Sequence, residues 1–323
     1  MNKLSKESAT KQVIDAEAAG QRIDNYLMRQ MKGVPKSHVY RVLRSGEVRV
    51  NSGRIGPDYR LQSGDLVRIP PVRIARKGAD DHGNSASRAA FRPVVLFEDA
   101  TLLVIDKPAG MAVHGGSGIS LGIVEGLRNA AREGRFLELV HRLDRGTSGV
   151  LMLAKKRSAL VNLHRQLQAG AVEKRYLALV KGHWRERKRV VDLPLEKYVS
   201  AKGERRVNVE PKGDAAVTIF RLERGVGPHS LLDAELKTGR THQIRVHLAH
   251  LGFPILGDDK YGDFTLNRLL VKQGLKRMFL HARRVAIAHP LTGQPMVFEA
   301  PLPAELTAFM KQAAGSRKNA ETV

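Results

Sequence analysis

The sequence predicts an α+β protein: a large domain on a mixed sheet, preceded by a small α/β domain. Three observations carry this. In the second part of the 323-residue chain, short apolar strands outnumber helices. They do not alternate strictly with helices, as a doubly wound parallel sheet requires. Ahead of them, residues 18–72 hold a pair of short helices followed by strands and turns. Residues 73–92, rich in Gly, Ser, Ala and charge with no apolar period, read as a linker between the two.

Taken in order, residues 1–17 are polar and expected to be flexible. In 22–31, Ile23, Leu27 and Met31 recur on one helical face. Gly33 and Pro35 break that helix. Ser37 can cap a second one carrying Val39, Val42 and Leu43, which stops near Gly46. Val48, Arg49 and Val50 alternate as a strand, and turns at 51–53 and 63–65 lead to another at 66–69.

The large domain spans 93–310. Leu102 to Ile105 suit a buried strand, ended by a turn at Lys107-Pro108-Ala109-Gly110. Ser120 can cap a helix reaching Arg132. A strand at 150–154 precedes a helix from Ser158 with Leu160, Leu163 and Leu167 facing inward, closed by Gly170. Residues 174–180 alternate as a strand. Residues 183–213 are basic and poorly patterned, as surface hairpins and loops are. A strand at 230–236 runs into 238–247. Read as extended, that segment places Thr241, Gln243 and Arg245 on one face and His242, Ile244 and Val246 on the other. Residues 257–262 form a polar loop, 279–282 and 285–287 further strand, and 289–293 a hairpin turn. Residues 303–314 can close the domain as a helix, and 311–323 should fray.

Charge narrows the partner. There are 55 Lys+Arg against 32 Asp+Glu, a net +23, with a pI near 10.5. Such a balance points to a polyanion, with nucleic acid the default. From position 34 to 77 there are ten Lys/Arg and three acids, +7 in 44 residues. Like charges so crowded repel unless a polyanion accepts them. No run of eighteen apolar residues occurs, so no membrane span is expected. The N-terminal residues lack the apolar stretch of a signal peptide. The absence of cysteine removes disulfides and thiolate metal sites, and suits a cytoplasmic location.

The chemistry is expected around 139–151, LVHRLDRGTSGVL. Here one acid, Asp144, stands between Arg142 and Arg145. Apolar pairs flank it, and a hydroxyl pair with glycine keeps the turn tight. An acid among bases between buried segments is a way to hold an ionised carboxylate in a cleft. A surface loop with a salt bridge has the same local pattern. The glycine run at 115–118 lacks the Gly-Lys-Ser/Thr of a nucleotide loop. His242 and His247, five apart, align on neither a helix nor a strand, and no metal is expected.

Several of these segments occur in the order of a known family. His141-Arg142-Leu143-Asp144-Arg145-Gly146-Thr147-Ser148-Gly149 resembles the signature of the RluA-like pseudouridine synthases. Lys107-Pro108-Ala109-Gly110, Lys174-Arg175-Tyr176, residues 239–245 and Leu280-His281-Ala282 fall in that family's order. Residues 21–27, Ser37, 46–51 and 61–65 resemble an S4 RNA-binding domain.

The resemblance implies a largely antiparallel pseudouridine synthase fold that needs no cofactor. It implies isomerisation of uridines in 23S ribosomal RNA, free or in a large-subunit assembly intermediate. Asp144 matches the nucleophile, whether the ribose or the uracil ring is attacked. Arg245 matches the arginine that keeps it negative. Tyr176 matches the tyrosine stacked on the target base, a contact worth about 1–3 kcal/mol. Arg142 matches the arginine that fills the place of a flipped nucleotide. Arg22, Lys36, Arg41, Arg44 and Arg49 are the expected RNA contacts of the S4-like domain, and a monomer is expected. Two other classes compete. One is an RNA chaperone on a silent scaffold. The other is a metal-dependent phosphoesterase using His141, Asp144, His242 and His247.

Overall fold

The structure, a computed structural model, describes residues 8–15, 18–31, 34–71, 93–115, 122–130, 136–201 and 203–315. The linker at 73–92, Ser120, Arg132 and the glycines at 116 and 118 lie outside them. The chain divides into two units, residues 1–89 and 90–323.

The small unit contains β1 (Thr10–Val13), α1 (Ile23–Gln30), α2 (Lys36–Arg44), β2 (Arg49–Val50) and β3 (Leu66–Ile69). Its antiparallel sheet has the order β1-β3-β2. The apolar positions that predicted the helices form its core: Ile23, Leu27 and Met31 pack with Val39, Val42 and Leu43. Ser37 is not the cap of α2; Pro35 occupies that position and no side chain caps it.

The unit begins earlier than expected. β1 lies within the stretch read as a flexible N-terminus. It is an edge strand of alternating exposure, so its lysine and glutamine masked it. It is held by pairing to β3 and by the Tyr26 hydroxyl, which donates to Gln12 at 2.6 Å.

The large unit runs β4 (Val94–Glu98), β5 (Leu102–Lys107), α3 (Ile123–Ala130), β6 (Glu138–Leu139), β7 (Ser148–Ala154) and α4 (Arg157–Gln168). It continues with β8 (Glu173–Lys181), β9 (Lys188–Asp192), β10 (Leu195–Val199), β11 (Arg205–Val209), β12 (Val217–Val226) and β13 (His229–Leu236). Last come α5 (Gln243–His250), α6 (Phe264–Lys272), β14 (Leu280–Ala288), β15 (Pro295–Glu299) and α7 (Ala304–Gly315). The main sheet has the order β4-β5-β7-β14-β8-β13-β12-β9, with β6 beside β7 and β15 beside β14. Its pairings are antiparallel except β7 with β14. β10 and β11 form a separate hairpin.

Both faces of the sheet are covered, which explains the unbroken apolar runs. In β5 and β7, Leu103, Ile105, Leu151 and Leu153 enter one core. Leu102, Val104, Val150 and Met152 enter the other. The first core is shared with α5 and α7, the second with α4. Each such side chain contributes on the order of 1.5–3 kcal/mol when fully buried.

Two expectations for the large unit are corrected. The segment after β13 is not extended: α5 begins at Gln243. Six consecutive residues of α5, Gln243 to Leu248, are buried. A helix enclosed on all sides shows no 3.6-residue period, and chance alternation imitated a strand. Helix α7 runs to Gly315, into the tail expected to fray from 311, because Ala313 packs on the core.

Candidate active site

The Asp144 turn is anchored from beneath. It leaves β6 and returns as β7, with the Thr147 amide donating to the Asp144 carbonyl at 3.1 Å. The turn can close because Gly149, at φ +110°, lies against β14. A β-carbon there would stand 2.2 Å from the Ala282 carbonyl oxygen. Lys107, fully buried at the end of β5, adds a second anchor. Its ammonium donates to the carbonyls of Pro108 and Met111, both at 2.9 Å, and of Arg145 at 3.3 Å. Burial and nearby Arg277 push its pKa down to about 7, against the pull of Asp144. A third support is Ser148, which accepts from Arg277 at 2.7 Å and lies 2.9 Å from Nδ1 of buried His281.

Above the turn, α5 delivers Arg245. Its Nη1 donates to Oδ2 of Asp144 at 3.2 Å. Nε and Nη2 each donate to Asp258 at 2.7 Å, and Nη2 reaches Asp259 at 3.2 Å. The guanidinium is 6% exposed and the Asp258 side chain 1%, whereas Asp144 keeps 19% exposure and remains reachable. Burial disfavours the charge on Arg245, but Asp258 and Asp144 outweigh it and raise its pKa. Asp258 is lowered, burial being overcome by Arg245 and by the amides of Tyr261 and Lys260. The cation also lies 5.2 Å from the Tyr261 ring centroid.

Asp144, Arg142, Tyr176 and Arg245 line one cleft of about 360 Å³. Tyr176, on β8, is buried and is a wall of the cleft rather than the half-wetted strand residue its type favours. Burial and then the charge of Asp144 raise its pKa, so it stays a phenol. Lys174, two residues before it on the same face, also lines the cleft. Burial lowers the Lys174 pKa. Arg142 is exposed at the rim.

The proposed metal-ligand histidines are engaged by the scaffold. His141 accepts from the Met152 amide at 3.2 Å, and burial, then Lys174, push its pKa down to about 4. His247 lies 3.0 Å from both the Leu193 carbonyl and the Thr218 hydroxyl.

In the small unit Lys36, Arg41, Arg44 and Arg49 are exposed. Arg49 donates to the carbonyls of Gly46 and Ser52. Arg22 differs, gripping buried Asp24 through Nε at 3.2 Å and Nη2 at 2.8 Å.

Sequence reasoning missed Lys107, Asp258 and Tyr261, and weighed His242 only as a metal ligand. Lys107 carried a signal: a lysine directly continuing a fully apolar strand must find acceptors or neutralise. Asp258 and Tyr261 had none, since 258–262 reads as an ordinary polar loop, and reading 238–247 as extended turned His242 away from the face of Arg245.

Known proteins share this sequence pattern. The RNA pseudouridylate synthase family profile matches residues 101–250, and the S4 domain profile matches 21–67. The chain is 52% identical over 294 residues to a Yersinia pestis protein named ribosomal large subunit pseudouridine synthase C, covering 91% of this chain and 92% of that one. The protein of that name from Haemophilus influenzae is 49% identical over 311 residues, covering 96% and 97%. Among solved structures, human RNA pseudouridylate synthase domain containing 4 superposes with a TM-score of 0.56 at 27% identity, covering 69% of this chain and 93% of that one. Its counterpart domain containing 1 gives 0.55 at 26%, covering 65% and 83%. The chain therefore belongs to the RNA pseudouridylate synthase family, in its RluA-like branch, and is an isomerase that carries an S4 domain ahead of its catalytic unit.

Proposed function

We propose that this protein converts particular uridines of 23S ribosomal RNA to pseudouridine, with Asp144 as the nucleophile. The relatives named for the large ribosomal subunit support the substrate. One observation carries the chemistry: a reachable carboxylate and a buried arginine meet at 3.2 Å on the wall of a cleft. The uridine swings out of its helix and enters the cleft, as enzymes acting on a base require. Asp144 forms a covalent bond to the nucleotide, and that bond breaks again when the product is complete, returning the carboxylate. The N1–C1′ bond breaks, the uracil turns, C5 joins C1′, and the C5 proton is lost while N1 gains one. Arg245, donating to Oδ2 at 3.2 Å, pairs with the Asp144 carboxylate and orients it for attack. Tyr176 packs on the base, and Arg142 occupies the place the base vacates. Lys36, Arg41, Arg44 and Arg49 hold phosphates; Arg22 joins them only with the part of its guanidinium that Asp24 leaves free.

The enzyme acts in the bacterial cytoplasm, where this RNA or its assembly intermediate resides. It acts as a monomer, because one chain contributes Asp144, Arg245, Tyr176 and Arg142. The test is Asp144→Asn on unmodified 23S transcript: pseudouridine formation is lost while RNA binding persists. An active variant overturns the reading. Mapping pseudouridines in ribosomal RNA from a strain without the protein identifies the target positions.

A further inference from the structure

Tyr261 links the β10–β11 hairpin to the catalytic cleft. Its hydroxyl oxygen accepts from the Val207 amide of β11 at 2.9 Å and lies 2.9 Å from Nδ1 of His242. An amide can only donate, so the single phenol proton is available to the imidazole. When that proton points at the ring, Nδ1 is the acceptor and a neutral imidazole carries its own proton on Nε2. Nε2 is the nitrogen that faces the site, 3.8 Å from Oδ2 of Asp144. An edge-on contact with Tyr261, ring centroids 5.5 Å apart, holds the ring in place.

The backbone of His242 is left-handed, at φ +54°. A residue with a β-carbon rarely keeps that conformation unless its surroundings over-determine it, and such positions cluster at functional sites. The charged groups facing the ring divide. Burial, Arg245 and Lys260 oppose its protonation, while Asp144 and Asp258 favour it, and the pKa is lowered.

We propose that His242 is a positioning residue for Asp144: a neutral imidazole, fixed as the Nε2–H tautomer by Val207 through Tyr261, that directs a second donor at Oδ2. Arg245 Nη1 already donates to that oxygen at 3.2 Å. With both donors on Oδ2, the carboxylate cannot rotate freely, and Oδ1 is left to attack. The 3.8 Å separation is longer than a hydrogen bond; catalytic hydrogen bonds tighten when substrate closes the site. This proposal rests on Asp144 being the working carboxylate.

The test uses the full chain labelled with ¹⁵N-histidine. His242→Gln assigns the His242 signals by difference among the 12 histidines. Near neutral pH the wild-type ring should show a protonated Nε2 and an unprotonated Nδ1, and Tyr261→Phe should give a tautomer mixture. His242→Leu should lose about tenfold to a hundredfold in kcat, the cost of one hydrogen bond to a charged group, with RNA affinity unchanged. His242→Gln, which restores an N–H donor, should recover most of that loss. A wild-type ring that is charged or protonated on Nδ1 overturns the proposal, as does His242→Leu with wild-type kcat. Activity in Asp144→Asn overturns the underlying functional reading instead, and the tautomer measurement does not depend on turnover.

Discussion

Asp258→Asn tests how Arg245 is held. The two Asp258 oxygens have different loads. Oδ1 accepts from Nη2 at 2.7 Å and from the amides of Lys260 and Tyr261 at 2.8 and 3.0 Å, while Oδ2 accepts from Nε at 2.7 Å. Asparagine has one oxygen, and the three donors on the Oδ1 side claim it. Its NH₂ then opposes the Nε–H, donor against donor. Breaking a buried ion pair costs about 3–5 kcal/mol. Asp144 and Asp259 still neutralise part of the guanidinium, so about 3 kcal/mol is expected. For a unit of this size that lowers the unfolding midpoint by roughly 6–12 °C. Released on one side, the guanidinium moves toward Asp144, and a shift of about 1 Å costs on the order of 100-fold in rate. The assays are thermal unfolding and single-turnover release of tritium from C5-labelled uridine in RNA. A variant melting within about 2 °C of the parent and turning over within about twofold would refute the claim that Asp258 carries Arg245.

Three further outcomes are expected. Gly149→Ala should cost about 3 kcal/mol or more, since its β-carbon would stand 2.2 Å from the Ala282 oxygen at a φ of +110°; a loss under about 1 kcal/mol in denaturant unfolding contradicts the close approach. Asp99 is held at about 2, burial being overcome by the amides of Thr101 and Leu102 and by His289. A carboxylate with a depressed folded pKa stabilises fully above its ordinary value and loses that contribution as pH falls to about 2, here about 2 kcal/mol; Asp99→Asn should abolish this acid-range dependence in unfolding titrations. Arg41→Ala with Arg44→Ala should flatten the plot of log affinity against log salt by about two units of slope and leave the rate on bound RNA unchanged; an unaltered slope removes these residues from the RNA contact.

Legibility followed the range of the interactions. Asp144 and its flanking apolar pairs were readable because turn and strand are continuous in sequence. Tyr176 was placed by resemblance, since strand alternation alone left it a half-wetted residue. Arg245 was placed by resemblance but on the wrong element, since a helix enclosed on every side has no polar face. β1 was missed because an edge strand shows half its residues to water. His242, Asp258 and Tyr261 were illegible because their partners are distant in sequence, whereas Lys107 was marked by its place at the end of an apolar strand and only its backbone acceptors were hidden. Asp258 and Arg245 are thirteen positions apart and meet only once α5 has formed.

The odd and even positions of β5 and β7 feed opposite cores. A one-residue insertion or deletion between 148 and 154 would turn the β7 residues on one side of it to the opposite core and pull the nucleophile out of register with its arginine. Length variation is therefore forbidden in this strand. Domain grafting should leave this pair of strands whole.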